Sequence, residues 1–319
     1  MNNGAEKVKA LLWSALFLAI PIGMQFVLGF SYMIQAIISS IQTGVTVQMN
    51  DMANMSPGME VFSNSISLME EGWMLILLSL MTDGMMLACF GLWYYFREKK
   101  FGFKPDYSKG LSANNIGCLI GIGIFSQFAI NIVIVMIHII MPSAFERYSE
   151  ISGLFDMSTA PAWLMILAVC IVGPIAEEVM FRGMIYGCIR RSFGMWPAAI
   201  ISAVLFGVYH MNLVQGIYAA VLGVVLALVY EKTQTIYGSI IFHVVFNTSS
   251  YVVSWIEEAV AGSGSRFIET SYIFLGLISI AIVWILVNRI EYRVDVAPKS
   301  VSETSENMVG IDSDGINSL

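Results

Sequence analysis

Charge is scarce in this chain. Only 12% of its residues are Asp, Glu, Lys or Arg, about half the share that soluble domains carry. That shortage argues against an ordinary water-facing surface. Cysteine is sparse too. Cys89, Cys118, Cys170 and Cys188 lie far apart, in or beside apolar runs, which argues against a disulfide framework or a cysteine metal motif. There is no basic footprint. The net charge is −7 and most acids fall in loops and in the C-terminal tail, so no nucleic-acid partner is expected. No internal repeat is visible, which removes support for the inverted-repeat design of many transporters. What is present is a 57% hydrophobic share and a mean hydropathy of +0.74, the balance of a multi-span membrane protein.

The apolar residues fall into about eight runs long enough to span a bilayer as helices, which takes about 20 residues each. They lie near 11–38, 73–96, 115–141, 161–189, 196–212, 214–230, 236–254 and 271–289. Backbone polar groups must be satisfied internally in lipid, so the expected fold is all-α, a polytopic transmembrane helix bundle. Three regions are expected. Residues 1–160 hold the first three spans and a long outer loop, 39–72; residues 161–296 hold a bundle of the next four spans and the last span; residues 297–319 form a disordered polar tail. Lys7 and Lys9 precede a long first run without a clear cleavage site, so a retained span is expected rather than a signal peptide. Lys and Arg cluster at Lys7, Lys9, Arg97–Lys109, Arg190, Arg191, Lys232 and Arg289–Lys299. The loops 39–72, 142–160 and 255–270 hold only Arg147 and Arg266. This alternation predicts a cell-membrane protein with both termini in the cytoplasm.

A few polar residues stand inside these runs, where an ionisable group costs at least ~2.5–3.5 kcal/mol. In the fourth run Glu178 and Arg182 are four residues apart, on one helical face and in the favourable order. Arginine stays charged and offers a rigid fork of donors, so Arg182 is suited to hold Glu178 ionised. Glu177 is turned about 100° away, and Gly173-Pro174, one turn earlier, should kink the helix and open space beside it. The bland alternative is a packing ion pair, which leaves Glu177 unexplained. In the fifth run His210 follows Phe206 at the same-face interval, and in the seventh Asn247 follows His243 likewise. Helix rise places Glu177 and His210 both roughly 20 Å into the membrane, and His243 and Asn247 roughly 10–16 Å. His138, which has no polar companion nearby in sequence, is read as structural. Asp83, mid-way along the second run, fits an ion path or a helix contact equally.

The order Glu-Glu-x-x-x-Arg, Phe-x-x-x-His, His-x-x-x-Asn resembles the CAAX-protease and bacteriocin-processing (ABI) family. The matching residues are Glu177, Glu178, Arg182 and Gly183, then Phe206 and His210, then His243 and Asn247. Gln215, Gly223, Tyr230 and Thr233 also sit where such proteins place similar residues. The resemblance covers about 161–254. It implies a membrane-embedded endopeptidase in which Glu177 and His210 activate water, Glu178 and Arg182 support Glu177, and His243 with Asn247 forms an oxyanion site. The implied partners are the lipid bilayer and a peptide or membrane-protein substrate. There is no His-Glu-x-x-His helix. A zinc site could still be assembled from Glu177, His210 and His243 with one position left for water, and a metal-free glutamate mechanism is equally compatible. A non-catalytic immunity or partner-binding protein is the alternative reading, and an ion transporter the third. Arg182, which neutralises a carboxylate permanently, counts against transport.

Overall fold

The computed structural model describes residues 3–48, 72–100, 110–154, 161–261 and 266–291. Every regular element among them is a helix: α1 (Asn3–Gln48), α2 (Gly72–Lys100), α3 (Ala113–Ile140), α4 (Pro142–Leu154), α5 (Ala162–Ser192), α6 (Met195–Tyr209), α7 (Leu213–Thr233), α8 (Ile236–Ala261) and α9 (Arg266–Arg289). Six of them carry stretches long and apolar enough to cross a membrane, and α6 and the Ile273–Arg289 part of α9 are shorter apolar helices. Each of the eight expected runs therefore lies on a helix. The protein is a helical membrane bundle.

Two expected outer loops are partly helical. The segment 39–72 continues α1 as far as Gln48, because no proline after Pro21 interrupts that helix; residues 49–71 lie outside the described residues. Within 142–160, α4 forms because Pro142 sits at its first position, where a missing N–H costs nothing. Ala144 and Phe145 then donate to the Met141 carbonyl at 3.0 and 3.1 Å. The tail 297–319 also lies outside the described residues.

α6 and α7 form a tight antiparallel hairpin, α3 packs chiefly on α8 and α9, and α5 touches α1, α2, α6 and α8. α5 is the most deeply enclosed span, as its 56% buried window against 28–39% for the others requires. Phe181, Met180, Ile185, Phe206, Phe242 and Leu226 are fully buried around it. The α6–α7 contact depends on glycine: a Cβ on Gly216 would lie 2.9 Å from the Gly207 carbonyl oxygen. Small residues let helix backbones approach where lipid supplies no hydrophobic drive between helices. Outward faces carry Trp163, Trp196, Trp284 and Ile139 in the open, as lipid-facing surfaces and interfacial belts do.

Candidate active site

Gly173-Pro174 shapes the part of α5 that carries the two acids. Proline has no N–H for the carbonyl four residues back, so a regular α-helix is interrupted there. The chain answers with wide turns. Ile166–Val172 and Val179–Tyr186 are π-helical, and Gly173 donates its N–H to Ala168, five residues earlier. Such turns re-aim the side chains that follow them. Glu177 and Glu178 lie on the short α-helical stretch between the two.

Glu178 turns inward. Arg182 Nη1 meets its Oε1 at 2.8 Å, and both side chains are fully buried. Arg182 Nη2 donates to the Gly223 carbonyl of α7 at 3.1 Å. A Cβ on Gly223 would come within 3.0 Å of Ala203 Cα, so glycine keeps α7 close to α6 where that carbonyl is needed. The guanidinium also lies 5.0 Å from the centroid of the Phe206 ring, a cation–π contact in a dry setting. The same ring meets His210 edge-on at 4.8 Å and His243 at 5.8 Å. Phe206 is thus the packing piece between the arginine and both histidines.

His243 joins the two glutamates. Its Nδ1 lies 2.9 Å from Glu178 Oε1. An ionised carboxylate only accepts, so Nδ1 carries the proton. Nε2 then faces Glu177 Oε2 at 3.6 Å. The run Arg182, Glu178, His243, Glu177 leads from a buried cation to a carboxylate whose side chain keeps 16% of its surface open.

That opening is a cavity of about 520 Å³, also lined by His210, Gln215, Tyr218 and Asn247. His210 stands at the C-terminal cap of α6 rather than inside a span. The chain reverses through Met211 at φ 50°, and Asn212 caps α7 by accepting from the Gln215 N–H at 3.1 Å. His210 Nδ1 lies 2.8 Å from the Phe206 carbonyl. A carbonyl cannot donate, so this nitrogen is the protonated one and Nε2 keeps its lone pair. Tyr209 steadies the cap, accepting from Gln25 Nε2 at 3.2 Å and donating to Met86 Sδ at 3.4 Å. Asn247 Nδ2 donates to the Val169 carbonyl at 2.8 Å, which leaves its second N–H for another acceptor.

All six residues singled out in sequence, Glu177, Glu178, Arg182, His210, His243 and Asn247, are therefore brought to one place. Glu178 and Arg182 lie behind the cavity and the other four line it. His138 is not among the lining residues; it is exposed and stacks on Phe145 at 4.5 Å. The cavity wall also holds Asp83, Gln127, Asn131 and Tyr148, none of which the motifs pointed to. Gln127 and Asn131 were detectable as a same-face polar pair in an apolar helix. Among the described residues no three His, Cys, Asp or Glu side chains are grouped closely enough to hold a metal ion. Glu177, His210 and His243 do not form a ready ligand set in this geometry.

Fold and site together define a class: polytopic helical membrane proteins whose acid, imidazole and amide side chains meet in a cavity within the bundle. Residues 159–249 match the family described as type II CAAX prenyl endopeptidase Rce1-like. The match covers this segment alone, and it agrees with the resemblance to the CAAX-protease and bacteriocin-processing family carried by the motifs within it. It is 36% identical over 85 residues to the Bacillus subtilis protein named "Putative membrane peptidase YdiL", an overlap of 27% of this chain and 35% of that one. It is 28% identical over 100 residues to the Lactococcus lactis UPF0177 protein YbdI, covering 31% of this chain and 54% of that one. The matches thus span about a third and about half of these relatives' lengths. No solved structure matches the chain.

Proposed function

We propose that this protein is an endopeptidase that hydrolyses a peptide bond at or within the bilayer. The observation that carries the proposal is the linked run Arg182–Glu178–His243–Glu177 ending on a cavity that His210 and Asn247 also line. A substrate carbonyl enters beside Glu177. Glu177 takes a proton from water, and the lone pair on His210 Nε2 accepts a hydrogen bond from the same water and holds it in line. The water oxygen bonds to the carbonyl carbon, and the developing oxyanion is held by the free N–H of Asn247 and by His243 when Nε2 is protonated. Glu178 stabilises that imidazolium through Nδ1, and Arg182 keeps Glu178 ionised. Glu177 then passes its proton to the leaving amine as the C–N bond breaks.

The chemistry proposed needs no metal: Glu177 carries the proton from water to the leaving amine. The protein is placed in the cell membrane with both termini in the cytoplasm, on the Lys and Arg asymmetry. The test is cleavage of membrane-anchored peptides by purified protein in liposomes, read by mass spectrometry. Glu177→Gln and His210→Ala should each lower turnover by about 10²–10⁴-fold while leaving the melting temperature near that of the parent. Undiminished cleavage by folded Glu177→Gln protein would remove the mechanism.

A further inference from the structure

Asp83 lies half-way along α2, outside the segment 159–249 that carries the family match. It is 94% buried, at 6% relative exposure, yet it lines the cavity that Glu177 opens on. Its hydrogen bond comes from Ser79 Oγ at 3.2 Å, one turn earlier on its own helix. This bond ties α2 to nothing else. No Lys or Arg pairs with Asp83 among the described residues. A carboxylate kept for helix packing would reach a donor on a neighbouring helix, as Glu178 and Glu231 both do. Asp83 instead presses against the hinge of α5: a Cβ on Gly173 would lie 3.4 Å from its Oδ2. Gly173 is one helical turn before Glu177, and Asp83 and Glu177 line the same cavity.

We propose that Asp83 is a specificity-determining residue that receives a cationic side chain of the substrate, Lys or Arg, near the bond to be cut. The inference rests on the endopeptidase reading of the cavity. Two carboxylates on one cavity, with Arg182 already committed to Glu178, leave negative potential that a guest cation relieves. One helical turn is about 5.4 Å, and an extended peptide rises about 3.3 Å per residue. The cation therefore belongs about one or two residues from the scissile bond. Ile130 and Ile134 also line the cavity and offer the methylene stem an apolar surface to lie on.

Binding can be read apart from hydrolysis. Full-length Glu177→Gln protein in nanodiscs is titrated with membrane peptides that carry one Lys, or the same residue as N-acetyl-lysine, at each of the positions flanking the bond. Acetylation keeps the stem and removes the charge. The Lys peptide should bind at least fivefold tighter at one or two adjacent positions. Adding Asp83→Asn should bring the ratio to one, and Asp83→Glu should keep a preference. Asp83→Lys should favour a Glu peptide. A preference unchanged by Asp83→Asn, with thermal melts confirming folded protein, would overturn the proposal, and so would equal binding of the two peptides to the Glu177→Gln protein. Cleavage of the Lys peptide by the protein with Glu177 intact is measured in parallel. Selective binding without any cleavage would sink the endopeptidase reading and leave the cation site standing.

Discussion

α5 carries two carboxylate–arginine clusters one above the other, and they are built to opposite ends. Near the end of the helix, Arg190 grips Glu231 of α7 through Nη2 at 2.9 Å and Nε at 3.1 Å, and Tyr186 donates to the second Glu231 oxygen at 2.6 Å. Both oxygens of that carboxylate are occupied, and the arginine side chain is 41% exposed. None of the three lines the cavity. Two turns earlier, Arg182 and Glu178 are fully buried, and the same Glu178 oxygen that Arg182 holds also holds His243. The lower cluster ends in itself; the upper one hands its order on to a histidine and then to Glu177. An ion pair is ordinary glue when every lone pair is spent within it. It becomes part of a site when it fixes a further group that faces open space.

The comparison breaks most visibly if Arg182 proves dispensable. Arg182→Met strands Glu178 in a dry core, which should cost about 3–5 kcal/mol of stability and abolish cleavage; a thermal melt beside a cleavage assay reads both. Arg182→Lys should harm both less, because it keeps the charge and loses the planar fork. Asn247→Ala should lower kcat by an amount on the order of 3 kcal/mol, with substrate binding nearly kept, because an oxyanion donor acts mainly in the transition state. A loss confined to KM would place Asn247 in substrate binding instead. Glu231→Gln tests the lower cluster: it should cost on the order of 1 kcal/mol of stability and leave cleavage near the parent rate. Metal removal comes last, with no effect expected. Chelator-treated protein should cleave as before, and activity lost on chelation and restored by zinc would require Glu177, His210 and His243 to regroup around an ion.

Much of this architecture is legible in the chain because lipid imposes a simple rule. Long apolar runs must be helices, and all eight runs are. The Glu178–Arg182 contact follows from spacing alone, since side chains four apart share a face. The rest depends on facing, which an apolar helix does not record. Gln127 and Asn131 mark one polar face on α3, but what that face meets is decided only by how α3 packs on α8 and α9. Asp83 shows the same limit: the cost of burying it is plain in sequence, and its neighbour Glu177 is not. The π turns of α5 are hinted at by Gly173-Pro174 but not fixed by it. His210 sits at a helix end and not inside a span because Met211 adopts a left-handed conformation, which no motif announces. His243 reads in sequence as a companion of Asn247; in the fold it also bridges the two glutamates.

The most direct test sets Glu177 against Glu231 in cells. Membrane peptides and new protein termini are profiled by mass spectrometry in cells expressing the parent chain, Glu177→Gln or Glu231→Gln at equal levels. The account predicts a set of cleavage products present with the parent chain and with Glu231→Gln and absent with Glu177→Gln. The same products in all three would contradict it.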